Sequence, residues 1–201
     1  MLYTLHEIFE TLQGEGRNTG RPCVFVRFSG CNLACPWCDT DFSPKVRLKL
    51  EALLERIGAC AARSVILTGG EPLLQPGLLP LAQGLKARGF WVGVETNGTL
   101  EPEAALRASL DYIATSPKLG APLALERADE VRLVVADGVT QAWCEAVRAR
   151  LPAHDYYLSP CDDGTRLRVH EAIALLGRLN ASAPEPPWRL SLQTHKLAGI
   201  P

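Results

Sequence analysis

Three thiols stand close together in the run Cys31-Asn32-Leu33-Ala34-Cys35-Pro36-Trp37-Cys38, at the spacing CxxxCxxC. A thiolate is a soft ligand for zinc and for iron–sulfur clusters, and the number of thiolates decides what the site can do. Four close a tetrahedral zinc site or occupy every iron of a cubane cluster, whereas three leave one iron open to a small molecule. The same residues permit two other chemistries. A zinc site could take its fourth ligand from Cys23, Cys60 or a histidine, and Cys35-Pro36-Trp37-Cys38 has the spacing of a thioredoxin-type redox dithiol. The octapeptide alone leaves all three open.

The chain that must position these thiols has 201 residues, 47% of them hydrophobic, which suits one core and one domain over residues 1–201. Acidic and basic residues balance at 22 and 21, so the positive footprint of a nucleic-acid binder is missing and a small-molecule partner is expected. Met1 to Glu7 carry no basic-then-apolar leader, and no stretch approaches the roughly 18 apolar residues of a membrane span. Seven cysteines, an odd number with three crowded together, fit a reducing compartment, so a cytoplasmic protein free of membrane is expected. Arginine outnumbers lysine sixteen to five, which makes Lys118 the more noticeable kind of cation.

Strand and helix patterns alternate along the chain. Residues 2–10, 22–28, 64–68, 90–95, 111–115, 131–135, 154–158 and 188–192 read as strands. Residues 48–60, 77–88, 102–109, 139–151 and 165–180 read as helices, the first with Leu50, Leu53, Leu54 and Ile57 on one face, the last with Val169, Ile173, Leu176 and Leu179. Residues 116–129 look like a loop standing where a crossover helix would be. Such alternation predicts an α/β fold with a mainly parallel sheet, and six or seven barrel strands predict a curved, incomplete β/α barrel. Functional groups of parallel barrels gather at the carboxyl ends of the strands. Those ends read Arg27 and the cysteine loop, Thr68-Gly69-Gly70-Glu71-Pro72, Glu95-Thr96-Asn97-Gly98, Ser116-Pro117-Lys118, Asp137-Gly138 and Ser159-Pro160-Cys161-Asp162-Asp163. Arg27 is the odd residue in an apolar strand; it must be paired, and a neighbouring Asp or Glu is the simplest partner.

The ordered pair of motifs, CxxxCxxC after the first barrel strand and Gly69-Gly70-Glu71-Pro72 after the second, resembles the radical S-adenosylmethionine superfamily. Either motif alone is weak; the pair is specific. The resemblance implies a partial barrel of the radical SAM type and a [4Fe-4S] cluster whose unique iron binds the amino and carboxylate groups of S-adenosylmethionine. Within the superfamily the flanking residues are similar to the family that contracts 6-carboxy-5,6,7,8-tetrahydropterin to 7-carboxy-7-deazaguanine, losing ammonia, on the way to queuosine. That likeness covers nearly the whole chain. It rests on Glu7-Ile8-Phe9, Thr11-Leu12-Gln13-Gly14-Glu15-Gly16, Arg27-Phe28-Ser29-Gly30, Cys38-Asp39-Thr40, Glu95-Thr96-Asn97-Gly98, Ser116-Pro117-Lys118, Gln193-Thr194-His195-Lys196 and Gly199-Ile200-Pro201.

Carried over position by position, the resemblance makes Cys31, Cys35 and Cys38 the cluster ligands. Trp37, Cys38, Asp39, Gly70, Ser116, Pro117, Lys118, Ser159, Pro160, Cys161 and Asp162 become contacts of S-adenosylmethionine. Leu12, Gln13, Gly14, Glu15, Arg27, Thr68, His195 and Pro201 face the substrate, and the Thr40 hydroxyl holds a Mg2+ shared with it. A homodimer, a flavodoxin-like electron donor and regeneration of S-adenosylmethionine are also implied. Several roles make physical sense. A pterin edge offers a ring N–H beside an amino group, two parallel donors that a carboxylate such as Glu15 accepts together. The substrate carboxylate suits Arg27, and the terminal carboxylate of Pro201 is expected to accept further pterin donors. Cys161 has no required role in its segment and reads as incidental rather than as a fourth cluster ligand, and His6 reads as structural. An activase for another enzyme would keep both motifs but gives no reason for Glu15, Arg27 and His195 around a small pocket; a non-enzymatic zinc or redox module is the alternative of a different class.

Overall fold

The computed structural model describes residues 1–201. Its strands are β1 (Leu2–Leu12), β2 (Pro22–Phe28), β3 (Val46–Lys49), β4 (Ser64–Gly69), β5 (Trp91–Thr96), β6 (Tyr112–Thr115), β7 (Glu130–Val135), β8 (Asp155–Pro160) and β9 (Trp188–Leu190). The helices are α1 (Leu50–Gly58), α2 (Leu78–Ala87), α3 (Ala104–Ala108), α4 (Gln141–Arg150), α5 (Val169–Leu179) and α6 (Thr194–Ala198). All strands join one sheet in the order β3-β1-β2-β4-β5-β6-β7-β8-β9, with every pair from β2 to β9 parallel and β1 antiparallel to both its neighbours. Parallel strands that follow one another in sequence and in space are the winding of a barrel, and the unpaired edges at β3 and β9 leave it open.

Side chains alternate along each strand, and the two faces differ in chemistry. Val24, Val26, Phe28, Val65, Leu67, Val92, Val94, Val131, Leu133, Tyr156 and Leu158 point to one face, where they pack with helix residues such as Leu53, Leu81, Cys144 and Leu175 in a single apolar core. Truncating one of these fully buried leucines to Ala would remove roughly 2–5 kcal/mol of stability. The other face, the inside of the open barrel, carries Arg27, Thr68, Glu95, Glu130, Arg132, Asp155 and Ser159, above a small apolar floor of Cys23, Phe25 and Ile66. That polar interior is what the sequence shows as isolated charges within β-branched runs.

The segment between β6 and β7 lacks a helix, as expected, and fills the helix's place with Leu125, which is fully buried and tied through its N–H to Gly98 O at 3.1 Å. Four differences from the sequence-based expectation have local causes. Val46–Lys49 is a strand pairing antiparallel with β1, so the helix expected from residue 48 begins only at Leu50; alternation of half-buried Val46 and Leu48 with exposed Arg47 and Lys49 is a strand pattern abutting a helix pattern. In α5 the buried residues are Ala172, Leu175 and Leu179, and Ile173 is 53% exposed, because the helix is rotated so that Ala172 faces the sheet. Asp137, expected among the converging strand ends, turns away to pair with Arg168. The short α6 was not foreseen.

Candidate active site

The carboxyl ends of β2 and β4 to β8 surround a cavity of about 480 Å³, with Arg27, Thr68, Glu95, Ser116, Arg132 and Ser159 delivered by successive strands. The β1–β2 loop reaches across the open side of the barrel to the far strands. Gly14 O accepts from Thr194 N at 3.0 Å and Thr194 Oγ1 at 2.9 Å, Gly16 N donates to Ser191 Oγ at 2.9 Å, and Arg17 N donates to Glu130 Oε2 at 2.7 Å. This strap brings Gln13, Glu15 and His195 over the same cavity as the strand ends. His195 lies so close to Gly14 that a Cβ there would fall 2.0 Å from His195 Nδ1, a position only glycine leaves open.

The cysteine loop is seated by hydrogen bonds rather than by regular structure. Glu71 N donates to Gly30 O at 3.0 Å and Gln75 Nε2 to Ser29 O at 3.2 Å, while Asn32 accepts from Asn97 Nδ2 at 2.9 Å and donates to Thr99 Oγ1 at 2.7 Å. Glu71 is fully buried and ties β4 to β5: its carboxylate accepts from Leu73 N at 2.9 Å, Thr96 Oγ1 at 2.8 Å and Asn97 N at 2.7 Å. Burial nevertheless holds its pKa above the ordinary value, with the Asn97 N–H as the largest opposing effect.

All seven cysteines are free, and Cys31, Cys35, Cys38 and buried Cys161 line the cavity; Cys23 and Cys60 do not. Cys31, Cys35 and Cys38 share one cavity wall, and no three Cys, His, Asp or Glu side chains converge on a single point. Burial raises the Cys35 thiol pKa, the Lys118 ammonium lowers it, and the neighbouring Cys38 and Cys31 raise it again. Lys118 itself is drawn inward, donating to Ser116 Oγ at 2.7 Å and standing 5.1 Å above the Trp37 ring; burial keeps its pKa below the ordinary lysine value. Asp39, next to Cys38, accepts from Lys196 Nζ at 2.7 Å and Gln193 Nε2 at 3.3 Å, which fastens α6 to the cysteine loop.

The cavity is electrically divided. On the β2 side Arg27 uses Nε to bond Glu7 Oε1 at 2.8 Å, its directly opposed residue on β1, so the expected carboxylate neighbour exists. On the β5–β7 side Glu15, Glu95 and Glu130 surround Arg132. Burial pushes the Glu95 carboxyl up, but Arg132, Gln13 and Thr68 more than offset it and hold its pKa below the ordinary value. Burial dominates at Glu130, which titrates above it.

The structure brings together on the cavity wall Leu12, Gln13, Gly14, Glu15, Arg27, Cys31, Cys35, Trp37, Cys38, Asp39, Thr40, Thr68, Gly70, Ser116, Lys118, Ser159, Pro160, Cys161, Asp162, His195 and Pro201. Pro117 is buried behind its neighbours and does not reach the wall. His6 is held by hydrogen bonds, with Lys45 Nζ donating to Nε2 at 3.0 Å, so that Nδ1 carries the proton and donates to Ser43 O at 2.9 Å, and it also lines the cavity. Glu95, Gln193 and Lys196, quoted in the sequence without an assigned role, line the cavity, and so does Arg132, which was not singled out. The signal at Arg132 was the one used for Arg27, a lone charge inside an apolar strand.

A partial parallel barrel whose strand ends converge on three separated thiols and a Gly-Gly-Glu-Pro turn defines the class, and a sequence profile of the Radical SAM superfamily matches residues 25–148, so the chain belongs to that superfamily. Over 98% of its length the chain is 44% identical to the 7-carboxy-7-deazaguanine synthase of Haemophilus influenzae and 48% identical to that of Neisseria meningitidis, covering 94% of each. The crystal structure of QueE from Escherichia coli matches with a TM-score of 0.72 at 30% identity, over 96% of this chain and 94% of that one. Within the superfamily the chain is a member of the 7-carboxy-7-deazaguanine synthase family.

Proposed function

We propose that this chain converts 6-carboxy-5,6,7,8-tetrahydropterin to 7-carboxy-7-deazaguanine with release of ammonia, as one radical SAM core domain over residues 1–201. The observation that carries the reading is one cavity with a free carboxylate oxygen, Glu15 Oε1, on its β5–β7 side and the free Nη atoms of Arg27 on its β2 side, on a wall that also holds the three cluster thiols. A ligand with hydrogen-bond donors at one end and a carboxylate at the other is complementary to that arrangement.

In this reading Cys31, Cys35 and Cys38 hold the [4Fe-4S] cluster. Gly70, a contact of S-adenosylmethionine in this reading, lies against the cysteine loop so closely that a Cβ there would collide with Gly30 and Cys31. When bound, the cluster and S-adenosylmethionine supply reductive carbon–sulfur cleavage and hence a 5′-deoxyadenosyl radical. Trp37, Asp39, Ser116, Lys118, Ser159, Pro160, Cys161 and Asp162 surround S-adenosylmethionine, with Pro117 fixing the strand end behind them. Lys118 brings a buried cation toward its carboxylate. Gln13 and Glu15 accept the donor edge of the pterin, with Leu12, Gly14, Thr68, His195 and Pro201 around the ring. Arg27, whose Nη atoms are left over after Glu7 takes Nε, meets the substrate carboxylate. Thr40 offers one hydroxyl oxygen to Mg2+, an ion that takes oxygen ligands and keeps water, so the substrate completes its shell. We infer in addition a homodimer, reduction by a flavodoxin-like protein, and a cytoplasmic setting. No helix is long and apolar enough to cross a membrane, and seven unpaired thiols suit a reducing compartment.

Equilibrium binding tests the reading directly. Cluster-loaded protein with S-adenosylmethionine and no reductant should bind 6-carboxypterin roughly 10-fold to 100-fold more tightly than pterin without the carboxyl group. Equal affinity for both would contradict it.

A further inference from the structure

One buried cation in the cavity wall has no role in the reading above. Arg132 lies in the middle of β7, between Val131 and Leu133, with its side chain 8% exposed. Nη1 donates to Glu15 Oε2 and Nη2 to Glu95 Oε1, each at 2.5 Å. Nε stands 2.8 Å from Glu130 Oε1, off the N–H direction, so that contact is an ion pair and not a hydrogen bond. Three segments meet on one guanidinium: the β1–β2 strap through Glu15, β5 through Glu95, and β7 itself through Glu130. Neutralising a single buried carboxylate would require none of this forking, and a planar five-donor fork is what fixes two carboxylates in a set orientation.

The fork also decides which lone pairs remain. Glu95 has both oxygens engaged, with Gln13 Nε2 at 3.0 Å and Arg132 on Oε1 and Thr68 Oγ1 at 3.1 Å on Oε2. Glu15 has Oε2 clamped and its own N–H held by Gln13 Oε1 at 3.1 Å, while Oε1 accepts no bond from the protein. We propose that Arg132 is a positioning residue for the substrate: by clamping Glu15 Oε2 of the strap and Glu95 Oε1 of β5 together, it presents Glu15 Oε1 as a fixed acceptor for the donor edge of the pterin. This rests on the pterin reading of the cavity.

Removing the guanidinium alters both orientation and charge. The charged and titratable groups facing Arg132 are Glu15 from the strap, Glu95 from β5, Glu130 beside it, Tyr112 from β6, whose hydroxyl donates to Glu130 Oε2 at 2.8 Å, and Lys118 after β6. Asp155 of β8 lies beyond them and is held by Arg17 and Arg189. Without Arg132 the burial that pushes the Glu95 carboxyl upward is opposed only by the Gln13 and Thr68 hydrogen bonds, so its pKa rises. As pH falls that carboxyl takes up a proton more readily than in the intact protein, which disturbs the Gln13 contact that orients the strap. Binding in such a variant becomes dependent on pH, improving as pH rises and the proton leaves.

The test compares the intact protein with Arg132→Met and Arg132→Lys, each cluster-loaded with S-adenosylmethionine and no reductant, by titration with 6-carboxypterin at about pH 6 and about pH 7.5. Arg132→Met should bind roughly 10-fold to 100-fold more weakly at the lower pH and recover part of that loss at the higher, with S-adenosylmethionine affinity unchanged. Arg132→Lys, which keeps a charge without the fork, should bind with intermediate affinity and a flat pH response. A folded Arg132→Met protein that binds as tightly as the intact one overturns the proposal. If Arg132→Met fails to fold, Arg132→Lys binding with full affinity overturns it instead. Failure of the intact protein to bind 6-carboxypterin would overturn the functional reading itself, and the assignment of Arg132 with it.

Discussion

The Cβ that Gly70 lacks would fall 2.0 Å from the carbonyl oxygen of Gly30, and 2.8 Å from the Cβ of Cys31, closer than real Cβ atoms approach. The turn after β4 and the loop carrying the thiols are therefore in backbone contact, and the cluster ligands depend on a glycine far away in sequence. Gly70→Ala should push the two loops apart at a cost of roughly 1–3 kcal/mol, leaving a folded protein with a reduced iron content. Iron analysis after anaerobic reconstitution checks this, beside a thermal melt. A Gly70→Ala protein of unchanged stability carrying a full cluster would show that the loops are free to separate.

Glu71 gives a prediction with a definite sign. Its folded pKa is raised, chiefly by burial, so the folded state binds the proton more tightly than the unfolded state does. The resulting contribution is fully present below the unfolded value of about 4.3 and is lost as pH rises through the folded value. Glu71→Gln removes this contribution and sets an amide N–H2 against N–H donors, losing about 1–3 kcal/mol. The gap in melting temperature between intact and variant protein should be widest at low pH and narrow as pH rises toward neutrality. A gap that widens with pH would mean that the Asn97, Leu73 and Thr96 donors outweigh burial.

Arg27→Met should weaken binding of 6-carboxypterin roughly 10-fold to 100-fold, because one charge-assisted hydrogen bond is lost, while cleavage of S-adenosylmethionine continues. Glu7 offers a competing explanation, since it already occupies Nε. Isothermal titration of Arg27→Met separates the two: unchanged affinity accompanied by a lower melting temperature would assign Arg27 to its ion pair alone.

The barrel was legible because each strand ends in polar or turn residues, and a parallel sheet wound in one direction has to bring those ends together. The thiols and Gly-Gly-Glu-Pro were legible because their chemistry needs fixed spacings. Contacts between distant segments were not. Nothing local to Glu15 announces Arg132, which lies 117 positions away along the chain, and nothing in α6 announces that Lys196 grips Asp39. β3 was hidden because it runs without a break into α1, its Leu48 only two residues before Leu50 at the start of the helical stripe. Ile173 misled because apolar residues at helical spacing do not reveal how far the helix is rotated, and small Ala172 took the buried place.

The central claim is that one cavity holds both the cluster and a carboxylated pterin and couples them in a ring contraction. Anaerobic incubation of the reconstituted protein with S-adenosylmethionine, Mg2+, a flavodoxin reducing system and 6-carboxy-5,6,7,8-tetrahydropterin should yield 7-carboxy-7-deazaguanine and ammonium in equal amounts, and Cys35→Ala should yield neither. Cleavage of S-adenosylmethionine that leaves the pterin intact and releases no ammonium would contradict it.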